Sequence, residues 1–237
     1  MKQDKTIIFD FGGTLDTNGV HWSRKFKRTF ENNGLTIDTD KFNEAFVKSD
    51  EHLCLNNNKY KDYKSLLEEQ INFIIYELSV GNEKIHTILL NKILNKILNE
   101  IWYDVSICIL DSEKLLSSLK GNYKLGLVSN FYGNLEDICT SLNIKDYFDI
   151  IIDSKKVGIA KPHPGIFSLA LKKLEANPNT TIVVGDSYKR DIIPAKIIGC
   201  KTIWLYSKGI NKYMDTSSAD SIISGLKYLN DILKINN

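Results

Sequence analysis

The sequence predicts an α/β protein built on a doubly wound parallel sheet, with an all-helical segment inserted after the first strand. Two observations predict it. Short apolar runs rich in β-branched residues, at Thr6 to Phe9, Lys124 to Val128, Phe148 to Ile152, Thr181 to Val184 and Thr202 to Leu205, alternate with helical segments, the pattern of strands joined by helical crossovers. All four prolines (162, 164, 178 and 194) lie in the C-terminal half, whereas residues 17 to about 107 contain none and only three glycines.

Within that proline-free stretch, Leu66, Leu67, Ile71, Ile74, Ile75 and Leu78 fall on one helical face. Leu89, Leu90, Ile93, Leu94, Ile97, Leu98, Ile101 and Trp102 recur every three to four residues, so a second amphipathic helix is expected there. The doubled Asn-Lys-Ile-Leu at 91–98 is helix patterning and not a solenoid repeat. His21, Trp22, Arg24 and Lys25 open the first helix of the insert, where they could face a substrate but read first as surface or packing residues. His52 and His86 have no second ligand at metal spacing and read as non-functional.

The chain has 237 residues, 43% hydrophobic and 25% charged, the composition of a folded globule with a sizeable core. Lys+Arg 31 against Asp+Glu 29 gives a net charge of +2, too balanced for the basic stripe that grips a nucleic acid or an anionic membrane. Cysteines 54, 108, 139 and 200 form no CxxC and have no partner histidines, so they read as reduced, mostly buried thiols. The chain contains no apolar run long enough for a signal core or a membrane span, and a cytoplasmic location is the expectation.

Several strand-like runs end on polar or acidic residues: Asp10, Ser129, Asp153 and Gly185-Asp186. In open α/β sheets ligands bind beyond the carboxyl ends of the strands, where strand order reverses, so these residues are expected to converge. Asp10-Phe11-Gly12-Gly13-Thr14 sets a carboxylate beside backbone amides that can approach a phosphate closely. Ser129 and Asn130 offer a hydroxyl and amides at the next tip, and Lys161 is a cation in a loop stiffened by Pro162 and Pro164. Asp186 and Asp191 form a carboxylate pair suited to a hard divalent cation such as Mg²⁺. His163 reads as loop scaffolding beside Lys161, while Phe131 and Tyr132 either shape the pocket mouth or pack beneath the insert.

In this order the four segments resemble the motifs of the haloacid dehalogenase (HAD) superfamily: Asp10 to Thr14 the first, Ser129 the second, Lys161 the third, and Gly185-Asp186-Ser187 through Asp191 the fourth. The resemblance implies a core of residues 1–16 and 108–237 and a helical cap of residues 17–107, hinged near 15–20 and 105–110. It implies a Mg²⁺-dependent hydrolase of a small phosphorylated compound. Asp10 would be the nucleophile; Asp10, Asp186 and the Gly12 carbonyl would hold the metal. Asp191 would orient the lysine or a metal-bound water, and Gly13, Thr14, Ser129, Asn130 and Lys161 would bind the phosphoryl oxygens.

The sequence departs from that pattern at Gly12, where phosphatases of the family carry an aspartate that protonates the leaving oxygen and then activates water. Asp16, six residues after Asp10, is the nearest carboxylate that could stand in. Three readings follow: a phosphohydrolase slowed or restricted to good leaving groups, a phosphonatase-like or dehalogenating member, or a catalytically silent domain binding a phosphorylated ligand or a protein.

Overall fold

The computed structural model describes residues 5–35, 37–56, 59–79, 93–207 and 215–233. Along the chain it runs β1 (Thr6–Phe9), α1 (Trp22–Asn32), α2 (Thr39–Leu55), α3 (Tyr63–Ser79), α4 (Leu94–Leu119), β2 (Lys124–Ser129), α5 (Leu135–Ser141), β3 (Ile150–Asp153), α6 (Ser154–Val157), α7 (Gly165–Leu174), β4 (Thr181–Gly185), α8 (Ile193–Ile197), β5 (Lys201–Leu205), β6 (Ser221–Ile223) and α9 (Leu229–Leu233). The five expected strands form, together with a sixth, Ser221–Ile223, that no apolar run announces. All six pair in parallel in the order β3-β2-β1-β4-β5-β6.

That order fixes where a ligand can sit. From β1 the chain builds outward through β2 and β3, then returns to the other side of β1 with β4, so strand order reverses between β1 and β4. Phe9 pairs with both Leu127 and Val184, which brings the residues just beyond each strand level with one another. Asp10 and Asp186 therefore meet at the reversal although their sequence positions are remote.

Alternation along β1 separates two apolar layers. Ile7 and Phe9 join one buried cluster and Ile8 joins the other, with Val128, Val183 and Phe167. The first cluster runs without interruption into the insert through Phe11 and Leu15 to Phe26, Phe30, Phe42, Leu66 and Ile71. Leu66, Leu67, Ile71, Ile74 and Ile75 are buried on α3, as their spacing requires. Burial of each such side chain contributes about 1.5–3 kcal/mol.

The insert is helical for local reasons too. Asp38 caps α2 by accepting from the backbone N–H groups of Asp40 and Lys41, each at 3.0 Å. The helix α4 is 26 residues long, about 39 Å at the α-helical rise, and continues without a break through residues 107 and 108. Leu89, Leu90 and His86 lie outside the described residues. Of the cysteines, Cys139 and Cys200 are buried and Cys54 and Cys108 half-buried; none forms a disulfide.

Candidate active site

The tip of β1 is shaped by two glycines with different reasons to be there. Gly13 has φ +92°, and a Cβ there would lie within 2.5 Å of the Asp186 carboxylate, so only glycine lets the loop pass. Gly12 has φ −72° and ψ 119°, a conformation open to any residue. A Cβ at position 12 would meet only the Trp22 indole, at 3.8 Å from Cδ1 and 3.9 Å from Nε1. Backbone geometry does not demand glycine at position 12.

The residues singled out in the sequence are brought together. Asp10 is 5% exposed; its Oδ1 accepts from Lys161 Nζ at 2.6 Å and from Ser129 Oγ at 3.0 Å, while Oδ2 accepts from Thr14 Oγ1 at 3.3 Å. Lys161 Nζ also donates to Asp191 Oδ1 at 2.7 Å and to the Val128 carbonyl at 3.3 Å. Asn130 fixes the lysine loop reciprocally: its side-chain amide donates to the Lys161 carbonyl, and its Oδ1 accepts from the Lys161 N–H, both at 2.8 Å. On the far side, the Asp186 N–H donates to Thr14 Oγ1 at 3.1 Å and the Asp186 carbonyl accepts from Trp204 Nε1 at 2.8 Å. His163 takes its scaffolding place, accepting from the Gly165 N–H at 3.0 Å.

Oxygens of Asp10, Asp186 and Asp191 lie within 4.8 Å of one another. Lys161 supplies one positive charge against these three carboxylates, two short of their charge when all are ionised. Burial alone would depress the Lys161 ammonium, but the charges of Asp10 and Asp191 outweigh it and hold the lysine protonated well above its ordinary range. Burial, then the charges of Asp10 and Asp191, push Asp186 well above the usual carboxylate range.

Asp16 does not reach this cluster with a free carboxylate. It is fully buried, and its oxygens accept from the Gly13 N–H (2.8 Å), Trp22 Nε1 (2.8 Å) and Tyr63 OH (2.5 Å). Burial raises its pKa to about 6 against the pull of those donors. The Gly13 N–H is thereby committed to Asp16 and the Thr14 hydroxyl to Asp10, so neither is directed at a ligand in this structure.

Asp10, Ser129, Lys161, Asp186 and Asp191 form the floor of a cavity of about 680 Å³. Its opposite wall comes from the insert, through Trp22, Phe46, Asp50, Tyr63, Leu66 and Gln70. His21, Trp22 and Arg24, expected as surface or packing residues, line this cavity instead, because the first turn of α1 lies against the tip of β1. Lys25 does not line it; its largely covered side chain pairs with Asp104 at 2.7 Å. Phe131 packs edge-on against Phe11 at 5.7 Å, Tyr132 donates to Asp50 Oδ1 of the insert at 2.7 Å, and both line the cavity. Burial raises Asp50 to about 6, opposed by Tyr132, Arg190 and Gln70. His52 pairs with Glu69 at 2.6 Å and stacks on Phe73, away from the cavity. Tyr63, Asp50 and Arg190 carry no signal in the sequence, and Tyr63 and Asp50 gain their place only through packing of the insert on the sheet.

The profile described as haloacid dehalogenase-like hydrolase matches residues 7–205. The chain belongs to this family. It is 35% identical over 94 residues to the pyrimidine 5'-nucleotidase YjjG of Escherichia coli (strain K12), covering 38% of this chain and 41% of that protein. It is 34% identical over 129 residues to the glyceraldehyde 3-phosphate phosphatase of Pyrococcus furiosus, covering 53% of each. The matches thus span about half or less of these curated relatives. Among solved structures, a HAD phosphatase from Thermococcus onnurineus aligns over 97% of both chains with TM-score 0.56 and 22% identity. The L-2-haloacid dehalogenase of Xanthobacter autotrophicus aligns over 98% of this chain and 99% of that one, with TM-score 0.58 and 14% identity. At such identities these structures establish the shared fold. No described helix is long and apolar enough to cross a membrane.

Proposed function

We propose that this member of the HAD-like hydrolase family removes phosphate from a small phosphorylated compound through an aspartyl-phosphate on Asp10, with Mg²⁺ as cofactor. One observation carries the reading: a buried carboxylate held by Lys161 and Ser129 on a cavity floor shared with two more carboxylates. The donor set fits Mg²⁺, because hard carboxylate oxygens, when all are ionised, carry two more negative charges than the lysine offsets. Asp10, Asp186, Asp191 and the Gly12 carbonyl would hold the ion, which when bound neutralises phosphoryl oxygens that otherwise repel the nucleophile.

Asp10 attacks phosphorus in line; its oxygen–phosphorus bond forms as the bond to the leaving oxygen breaks. Ser129, the Asn130 backbone amide and Lys161 stabilise the charge spread over the remaining phosphoryl oxygens. Water then attacks the phosphorus of the intermediate, releasing inorganic phosphate and restoring the Asp10 carboxylate. Position 12 has no side chain to protonate the leaving oxygen, so acyl phosphates, whose leaving group needs no proton, are the better substrates. Residues 17–107 act as a cap that shields this chemistry from bulk water, since they supply the upper cavity wall.

The relatives named as a phosphatase and a nucleotidase support attack on phosphorus over displacement of a halide from carbon. A phosphonatase-like reaction needs a cap lysine for its Schiff base, and no described lysine of residues 17–107 lines the cavity. Incubation with Mg²⁺ and acetyl phosphate or p-nitrophenyl phosphate, following phosphate release and intact mass together, tests the proposal. Turnover, or a stable phosphoryl adduct lost in Asp10→Asn, supports it; neither signal with Mg²⁺ bound favours the silent binding domain.

A further inference from the structure

The cavity has an acidic floor and a basic rim. Arg24 enters from the first turn of α1 in the insert, and Arg190 from the segment after β4, next to Asp191. Both line the cavity that holds Asp10 and Lys161, yet neither guanidinium has an ion-pair or hydrogen-bond partner among the described residues. Some cations of the insert outside the cavity are paired, Lys25 with Asp104, Lys27 with Glu31, and Lys48 with Glu44 and Glu77, while Lys41, Lys61 and Lys64 are not. An exposed unpaired arginine is ordinary by itself, and Arg28 on the same helix is one. Two of them from separate elements on the rim of one cavity are a different arrangement, because like charges drawn together gain only when an anion lies between them.

The neighbouring groups leave that place open. His21 lines the same cavity, and burial followed by the charges of Arg190 and Arg24 pushes its imidazole below its ordinary pKa, so it adds hydrogen-bonding capacity rather than another cation. The carboxylates lining the cavity are Asp10, Asp186 and Asp191 on the floor and Asp50 on the wall. Asp50 feels the field of Arg190 but already accepts from Tyr132 and Gln70, at 2.7 and 2.9 Å. Guanidinium groups present paired N–H donors that match the oxygens of phosphate and carboxylate.

We propose that Arg24 and Arg190, with His21, form a second anion subsite on the cavity rim, and that the substrate carries a second phosphate or carboxylate besides the phosphoryl group seated at Asp10. This deepens the phosphohydrolase reading and rests on it. A cavity of about 680 Å³ has room for a compound that spans floor and rim. The insert then contributes to recognition through Arg24, and closure onto substrate brings the two arginines to the same anion.

Binding to non-hydrolysable probes tests this without depending on turnover. Calorimetry of the whole protein with Mg²⁺ compares alkylphosphonates with the α,ω-alkane bisphosphonates of matching chain length, from three to six carbons. At the best length the bisphosphonate binds at least about tenfold more tightly, the increment of a charge-assisted contact. Arg24→Ala and Arg190→Ala each narrow that ratio to below about threefold, whereas Arg28→Ala keeps it. Equal affinity of the two series at every length overturns the subsite, as does a preference that survives both cavity substitutions or falls equally in Arg28→Ala. Binding of neither series overturns the phosphoryl site itself, and the subsite with it. A carboxylate-terminated alkylphosphonate series then separates phosphate from carboxylate as the second anion.

Discussion

Gly12→Asp is the most direct test of what this site lacks. The backbone there, φ −72° and ψ 119°, accepts any residue, and a Cβ would make ordinary contact with Trp22 at 3.8 Å. The substitution therefore installs a carboxylate beside the Trp22 indole, two residues from Asp10, without backbone strain. General acid–base assistance is worth about 10²–10⁴ in rate, or about 3–5 kcal/mol of barrier. The new carboxylate meets the indole N–H that now serves Asp16, and this competition sets the expected gain at the lower end, about 10²-fold. The quantity to measure is kcat/KM, which reports steps up to formation of the phosphoenzyme, for phosphate release from β-glycerophosphate and from acetyl phosphate. The alkyl ester gains about 10²-fold because its leaving oxygen needs a proton, and the acyl phosphate gains less than about tenfold because its leaving group does not. An unchanged kcat/KM for the alkyl ester, in a protein of unchanged Tm and Mg²⁺ dependence, refutes the reasoning: the leaving oxygen then draws its proton from elsewhere.

Asp10→Asn removes the proposed nucleophile and is expected to abolish both turnover and the phosphoryl adduct in intact-mass spectra; residual turnover with substrate would place the nucleophile elsewhere. Gly13→Ala forces a side chain to within 2.5 Å of Asp186 at φ +92° and costs about 1–3 kcal/mol in urea unfolding, with weakened Mg²⁺ binding by calorimetry; wild-type values would remove the steric argument. Asp16 titrates near 6 in the fold against about 3.9 unfolded, so the native state holds a proton that the unfolded chain releases between those values. Stability therefore falls as pH rises from about 4 to about 6, by roughly 3 kcal/mol from this residue. Urea unfolding in chelator should lose about that much more between pH 4 and 7 in wild type than in Asp16→Asn, and parallel pH profiles would contradict it.

The core was legible because its chemistry sits at strand tips. Asp10, Ser129 and Asp186 each follow an apolar run, Lys161 and Asp191 lie within a few residues of a proline pair or a Gly-Asp tip, and parallel pairing does the rest. Local sequence fixes these positions to within a residue. The cavity wall was not legible, because contacts such as Tyr63 to Asp16 and Tyr132 to Asp50 join residues 47 and 82 positions apart, with no periodicity to announce them. The periodicity of α3 identifies its buried face, yet says nothing of which buried residue faces a carboxylate rather than a leucine. Strand β6 escaped for a simpler reason: it has three residues, of which Ile223 alone is buried.

Gly12 and the residues around it form one coupled set rather than a single missing group. The Trp22 indole lies where a side chain at position 12 would point, and its one N–H is spent on Asp16. That carboxylate also takes the Tyr63 hydroxyl from the insert and the Gly13 N–H from the nucleophile loop, so three segments are joined through it. One indole N–H cannot satisfy two carboxylates at once, and the charge of Asp10 already helps burial raise the pKa of Asp16. A second ionised group at position 12 would push it further. The glycine is therefore compatible with a buried Asp16 in a way that an aspartate is not. The same bonds that hold the insert down on the first loop disfavour the acid–base group at position 12.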